Sequence, residues 1–357
     1  MSNLDQSIAD YMLTKAQLHL KMGTYTPVDD KTMIILGGQP GAGKSTITDI
    51  IEKQFNGNIL ILNGDDVKLY FPNYTALLSK DPDATAKLVQ PYSNFVIDNL
   101  KQEAMARNLN ILVEGTMRTA TTPLDTIHEA KQNGYRVEGF VIAANYLASR
   151  ISCIERYERD RLENGAGRSV PQHAHDETYK NIPNTLQEIM KDNTIDNLKV
   201  VSRNGQLIAD YRAGDDVVGK YIAHRDNVSP HLSAYLQNQI SSTYELLAQR
   251  NAPTSAHTEL HQIKHELDRK MQEFQPDRLL SITKETSVND VLNFFKNIDN
   301  KLVENISKIH SIDYQGHQIS LDYIKPRDLA NSINQMCNNV AKIELNIDRD
   351  RTKGIDR

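Results

Sequence analysis

Residues 33–51 read MIILGGQPGAGKSTITDII, and within them Gly38 to Ser45 complete the pattern G-x-x-x-x-G-K-[ST] of a phosphate-binding loop. The apolar run Met33 to Leu36 predicts a strand before the loop, and Thr46, Ile47, Ile50 and Ile51 recur at helical spacing after it. That context is what such a loop requires. Its glycines let backbone N–H groups converge on phosphate oxygens, Lys44 reaches the terminal phosphates, and the Ser45 hydroxyl ligates magnesium. Gly38, Gln39, Pro40, Gly41, Ala42, Gly43, Lys44, Ser45 and Thr46 are therefore the expected nucleotide-binding residues. ATP, with GTP as the alternative, is the expected triphosphate and Mg2+ its metal.

Working outward, apolar runs at Ile59 to Leu62, Ile111 to Val113, Val137 to Ala144 and around Val200 alternate with helical patterns. This alternation predicts an α/β fold, a mostly parallel sheet with helices on both faces. Asn204-Gly205, between two strand-like runs, predicts a closing antiparallel hairpin. Past Gly214 the texture changes to polar, helix-spaced sequence. The expected organisation is an N-terminal helical segment (1–30), a P-loop kinase-like domain (31–214) and an all-helical C-terminal extension (215–357). Helices are expected over Leu4 to Leu20, Ala234 to Arg250, His257 to Phe274, Val288 to Ile309 and Arg327 to Ile347.

Composition narrows the function. The 357 residues are 39% hydrophobic with a net charge of −5 spread along the chain, so they lack the basic footprint of a polynucleotide binder. Neither a secretory signal nor a run of membrane-spanning length is evident. The two cysteines, Cys153 and Cys337, match no disulfide or metal framework, and a cytoplasmic setting is expected, with delivery into another cell as the alternative. The pair His173 and His175 has no third ligand at suitable spacing and is expected to brace the segment containing Arg168 rather than hold a metal.

Three further segments carry chemistry. NGDDVKLYFPNY follows the second strand and puts Asp65 and Asp66 at a carboxyl strand end, the ligand-binding edge of an open α/β sheet. A carboxylate there can take the proton of an attacking hydroxyl, or the two can serve as a helix N-cap pair. VEGTMRT follows the third strand and puts Glu114 where it can orient magnesium or its waters, with Thr116 and Arg118 beside it. IERYERDRLENGAGR then supplies Arg156, Arg159, Arg161 and Arg168. Cations on a lid can neutralise a moving phosphoryl group, while others pair with Glu155, Glu158 and Glu163 along the helix.

Together LGGQPGAGKST, NGDDVKLYFPN, PYSN, TPLDT after VEGTMRT, IERYE and RSVPQHAHD resemble, in order, the motifs of the zeta toxins, from about Met33 to Tyr211. Members of that family phosphorylate UDP-N-acetylglucosamine. The resemblance implies that Lys44 and Ser45 bind the ATP phosphates and magnesium, that Asp65 is the general base acting on the sugar 3'-hydroxyl, and that Arg156 and Arg168 stabilise charge. It also implies that Glu114, Thr116 and Arg118 hold the sugar nucleotide, with Asp98 and Thr126 in the same cleft. Asn63 stands where an aspartate is frequent, and Asp98 where a longer glutamate contacts substrate; both departures bear on which acceptor fits.

An inhibitory antitoxin protein is the partner implied by the resemblance. The N-terminal helix or the C-terminal extension could instead cover the ATP cleft from within, and loss of the extension would then raise activity. Two other functions compete with a UDP-N-acetylglucosamine kinase: a kinase of another small hydroxyl acceptor, such as a different UDP-sugar, a nucleoside or an antibiotic, and a nucleotide-dependent interaction protein acting through its helices. The combination of Asp65, Arg156 and Arg168 favours a kinase, since a sensor needs no base.

Overall fold

Met33 and Ile35 belong to one hydrophobic cluster and Ile34 and Leu36 to another, the two-faced burial that a central parallel strand imposes. The computed structural model describes residues 4–228, 230–273, 311–314 and 317–320. Its main sheet has six strands, β1 (Thr32–Gly37), β2 (Leu60–Asn63), β3 (Ile111–Gly115), β4 (Arg136–Ile142), β5 (Asn197–Val201) and β6 (Leu207–Asp210), in the order β2-β3-β1-β4-β5-β6. The first five run parallel, and β5 and β6 form the antiparallel hairpin expected from Asn204-Gly205.

The sheet separates the two clusters. On one side α2 (Lys44–Gln54) presses Ile47 and Ile51 against Ile34, Leu36 and Leu112. The other side is covered by α1 (Gln6–His19), the short α3 (Gly64–Val67) and α4 (Tyr74–Lys80), and the 25-residue α5 (Pro82–Ala106). Completing the wrap are α6 (Thr121–Gln132), α7 (Tyr146–Asn164), α8 (Gln172–Asp192) and α9 (Val217–Asp226). Two more helices, α10 (Pro230–Gln249) and α11 (Thr254–Glu273), follow.

The N-terminal helix does not cover the phosphate loop. It lies along α5, where the Asp5 N–H donates to the Tyr92 hydroxyl (3.1 Å) and the Gln17 amide donates to Glu103 (2.7 Å). The reason is apolar matching: Ala9, Met12 and Ala16 form an apolar stripe fully buried in the larger cluster.

The chain divides into two units, Met1–Val228 with Leu236–Leu267, and Ser229–Tyr235 with Asp268–Arg357. The change of texture after Gly214 is thus not a break in packing. The helix α9 packs on β5, β6 and α8, burying Val217, Val218 and Tyr221, and most of α10 and α11 belongs to the first unit. In the second unit β7 (Ser311–Tyr314) and β8 (His317–Ser320) pair antiparallel, so the extension is not all helical as its spacing suggested. HQIS carries a single apolar residue and so shows no apolar–polar alternation to mark a strand. The helices expected over Val288 to Ile309 and Arg327 to Ile347 lie outside the described residues, as does Cys337.

Tyr135, 2% exposed at the entry to β4, donates its hydroxyl to the Leu109 carbonyl (2.8 Å), and burial pushes its pKa up to about 12. Tyr135→Phe leaves that carbonyl without its donor. Urea unfolding is expected to show a loss of about 1–2 kcal/mol without a change in slope.

Candidate active site

The phosphate loop joins β1 to α2 and depends on two left-handed glycines, Gly41 (φ +76°) and Gly43 (φ +94°). At Gly41 the constraint is also steric. A Cβ there would lie 2.1 Å from the Ser149 carbonyl oxygen and 2.9 Å from Cys153 Sγ, so the loop rests directly on the first turns of α7. Gln39 is fully buried beneath it, donating to the Ala144 carbonyl (2.9 Å) and to Ser149 Oγ (3.3 Å). Lys44 bonds the carbonyls of Gly38 (2.9 Å) and Gln39 (3.4 Å), folding its ammonium over the loop. Burial pushes its pKa down, and Glu114 and Asp65 pull the other way. Ser45 and Thr46, at the first turn of α2, are exposed.

Strand register brings the remaining groups to the same edge. Glu114 pairs in register with Leu36 of β1 on one side and Asn63 of β2 on the other. Its carboxylate accepts from Thr48 Oγ1 (2.7 Å), one turn beyond Lys44 in α2, and from Asn63 Nδ2 (3.3 Å). Burial raises its pKa despite the opposing influence of Thr48 and Lys44. Asn63 uses its other side-chain atom as the cap of α3, accepting from the Asp65 N–H (2.9 Å). The cap of this turn is therefore Asn63 and not the aspartate pair, which occupies the first turn instead. An amide at position 63 can donate to Glu114 and accept from Asp65 N–H at once; a carboxylate could only accept.

Asp65 is exposed on α3, with Oδ1 3.0 Å from Lys68 Nζ and Oδ2 3.1 Å from Arg168 Nη1. Burial raises its pKa, but Arg168, Lys68 and Arg156 together outweigh that and hold the carboxyl below its ordinary value. The neighbouring Asp66 is pushed the other way by burial, with the Asp65 charge adding to the rise. The two neighbouring carboxyls are thus shifted in opposite directions, Asp65 down and Asp66 up.

The arginines divide their roles. Arg156 is exposed on α7 within electrostatic reach of Lys44, Asp65 and Cys153. Arg159 pairs with Glu155 (2.6 Å) along the helix, and Arg161 lies over the Tyr157 ring (5.9 Å). Arg168 sits in the loop between α7 and α8 and reaches across to Asp65. Glu158 pairs with Arg250 rather than with an arginine of its own helix.

On the other flank Thr116 Oγ1 accepts weakly from the Arg118 N–H (3.4 Å), and the Arg118 side chain faces Glu177 (3.7 Å). Asp98 is 67% exposed on α5 and paired with Lys101, which also binds Glu129 on α6. Thr126 is buried in α6 with its hydroxyl bonded to the Thr122 carbonyl (3.0 Å). Among the described residues no hydrogen bond or ion pair joins Asp98 or Thr126 to Asp65, Glu114 or the loop. Likewise no group of three His, Cys, Asp or Glu side chains among the described residues could hold a metal, and no described helix is long and apolar enough to cross a membrane.

Residues 17–215, more than half of the chain, match the sequence model of the family described as Zeta toxin. The chain belongs to the zeta toxin family. Toxin zeta of Enterococcus hirae is 30% identical over 179 residues, which cover 50% of this chain and 63% of that protein. Toxin PezT of Streptococcus pneumoniae serotype 4 is 29% identical over 178 residues, 50% of this chain and 70% of its own. A solved structure from the PezAT toxin-antitoxin system of Streptococcus pneumoniae has the same fold, with a TM-score of 0.60 at 23% identity, over 69% of this chain and 98% of the other.

Some residues that assemble this zeta toxin site carry no local sequence signal, and Ser149 is the clearest. Its hydroxyl lies 2.8 Å from His175 Nε2, and His175 Nδ1 lies 3.2 Å from Asp176. An ionised carboxylate only accepts, so Nδ1 carries the proton and Ser149 donates to Nε2. His175 thereby ties α8 to α7, while His173 is exposed. Burial, ahead of the opposing Asp176, lowers the His175 pKa from 6.5 to about 4. Because the folded value lies below the unfolded one, this contribution to stability is complete above pH 6.5 and is lost as pH falls toward 4. A loss of about 3 kcal/mol is expected over that window. Thermal unfolding of wild type and His175→Gln against pH should show the slope in the first and a flatter profile in the second.

Proposed function

We propose that this zeta toxin is an ATP-dependent phosphotransferase whose acceptor is a hydroxyl of a sugar nucleotide. The 3'-hydroxyl of the amino sugar of UDP-N-acetylglucosamine is the acceptor that the family resemblance favours. The reading is carried by one observation, the pairing of Asp65 with Arg168 at 3.1 Å within electrostatic reach of Lys44 and Arg156. A carboxylate held ionised among cations, at the strand edge beside a phosphate loop, suits a base next to a transferring phosphoryl group.

In this mechanism the acceptor oxygen bonds to the terminal phosphorus of ATP as the bond from that phosphorus to the bridging oxygen of ADP breaks. Asp65 takes the hydroxyl proton. Lys44, Arg156 and Arg168 balance the charge spread over the phosphoryl oxygens. Ser45 and Glu114 offer hard oxygen donors that would hold Mg2+ or its waters, and burial raises the Glu114 pKa ahead of the opposing Thr48 and Lys44, so a further cation there would favour its ionised form. Bound there, Mg2+ would offset phosphate charge. On the acceptor side, Glu114, Thr116 and Arg118 supply the polar contacts. Asp98 borders the same cleft, and Thr126, its hydroxyl engaged within α6, contributes shape. The toxin-antitoxin system of the PezAT relative supports an antitoxin protein as partner of this chain too.

Purified protein with magnesium ATP and a panel of UDP-sugars, nucleosides and no acceptor tests the reading. Transfer to a UDP-sugar is expected, with Asp65→Asn lowering kcat by about 10²–10⁴-fold and Lys44→Ala abolishing turnover. Nucleotide binding without transfer to any acceptor would remove the kinase assignment.

The pH profile supplies a separate check. Since Arg168 helps depress the Asp65 pKa in the free chain, the acid limb of kcat/KM, which reports the free enzyme, is expected below the ordinary carboxylate range. In Arg168→Ala it should move toward higher pH, with a lower plateau.

A further inference from the structure

The loop bearing Arg168 is held at two points, and both lead to the C-terminal helices. On one side of Arg168, Gly167 is buried against α7 so closely that a Cβ would lie 2.6 Å from the Tyr157 carbonyl oxygen and 3.2 Å from Arg161 Cγ. On the other side the Val170 carbonyl accepts from Arg150 Nη1 (3.1 Å). Arg150 is 2% exposed and its other terminal nitrogen pairs with Glu259 of α11. Next to Tyr157, Glu158 is 1% exposed and pairs with Arg250, at the end of α10, at 2.5 Å. Between these ties the Gln239 amide of α10 donates to Glu155 (3.1 Å). The contacts at 150, 155 and 158 run along a stripe of α7.

Buried charges on a helix surface are costly unless paired, and loss of one partner strands the other. Neither Glu158 nor Arg150 has a charged partner within α7 among the described residues, so both depend on α10 and α11. We propose that Arg250 and Glu259 are positioning residues: the α10–α11 hairpin clasps α7 through Glu158 and Arg150 and thereby sets the loop 165–171 so that Arg168 meets Asp65 and the transferring phosphate. This rests on the phosphotransferase reading above and assigns the hairpin a role opposite to inhibition. The clasp leaves the phosphate loop itself alone, because its direct supports, Ser149 and the Ala144 carbonyl, lie outside these pairs.

The test uses the full chain with Arg250→Ala, Arg250→Lys and Glu259→Gln, read by steady-state kinetics and by hydrogen–deuterium exchange. In Arg250→Ala and Glu259→Gln, kcat is expected to fall about tenfold or more, with KM for ATP within about twofold. Exchange should quicken across residues 165–171 and stay unchanged across 38–46, and Arg250→Lys should restore most of kcat. If Arg250→Ala does not fold, Glu259→Gln, which keeps the shape and removes one charge at a partly exposed position, decides. Wild-type exchange and kcat in the folded variants would overturn the proposal. So would a raised kcat, or a loss that follows the melting temperature with exchange quickening everywhere. If the wild type transfers phosphate to no acceptor, the kinase reading has failed by itself, and exchange across 165–171 still decides whether the clasp exists.

Discussion

One residue of α7, Ser149, is where three parts of the site meet. Its carbonyl oxygen is the floor under Gly41, its hydroxyl is shared with Gln39, and the same hydroxyl holds His175 of α8. The phosphate loop thus takes its shape from a helix more than a hundred residues away in sequence. A side chain at position 41 would meet that carbonyl before it met any phosphate. The glycine requirement usually attributed to ligand approach is here also a packing requirement.

The two carboxylates at this strand edge are tuned in opposite directions by similar physics. Burial works to raise both. For Asp65 the nearby arginines and Lys68 prevail over burial; for Glu114 the Thr48 hydroxyl and the Lys44 ammonium do not. Asn63 links them, donating to one and capping the turn that carries the other. An amide suits this position chemically: beside the half-buried Glu114 carboxylate it can donate, where a second carboxylate could only repel.

The parts of this arrangement legible in the sequence were those encoded locally. The loop motif, the alternation of strands and helices, and the Asn-Gly hairpin each lie within a few residues, and each appears in the structure. The ends of β2 and β3 could be read because an open sheet collects ligands at one edge. What was not legible depends on partners distant in sequence. Spacing showed that α1 and α10–α11 are helices, yet not what they pack on, because an amphipathic stripe does not name its neighbour. Glu158 read as one more charge in a helical run, and its burial against Arg250 has no local signature. The N-cap role that stood as the alternative for Asp65 and Asp66 belongs to Asn63, since the turn begins at Gly64, two residues earlier than a cap at Asp65 would place it.

The ion pair between Asp65 and Arg168 has a thermodynamic corollary. In the free chain the guanidinium is committed to the carboxylate, so an incoming anion competes for it. Whatever draws Arg168 away raises the proton affinity of Asp65, and by linkage a proton on Asp65 frees Arg168 for the anion by the same factor. The proton affinity of this carboxylate is therefore not a fixed property of the fold. It is conditional on the partner: the carboxylate is least basic while Arg168 is paired with it and gains basicity as an anion draws the guanidinium away.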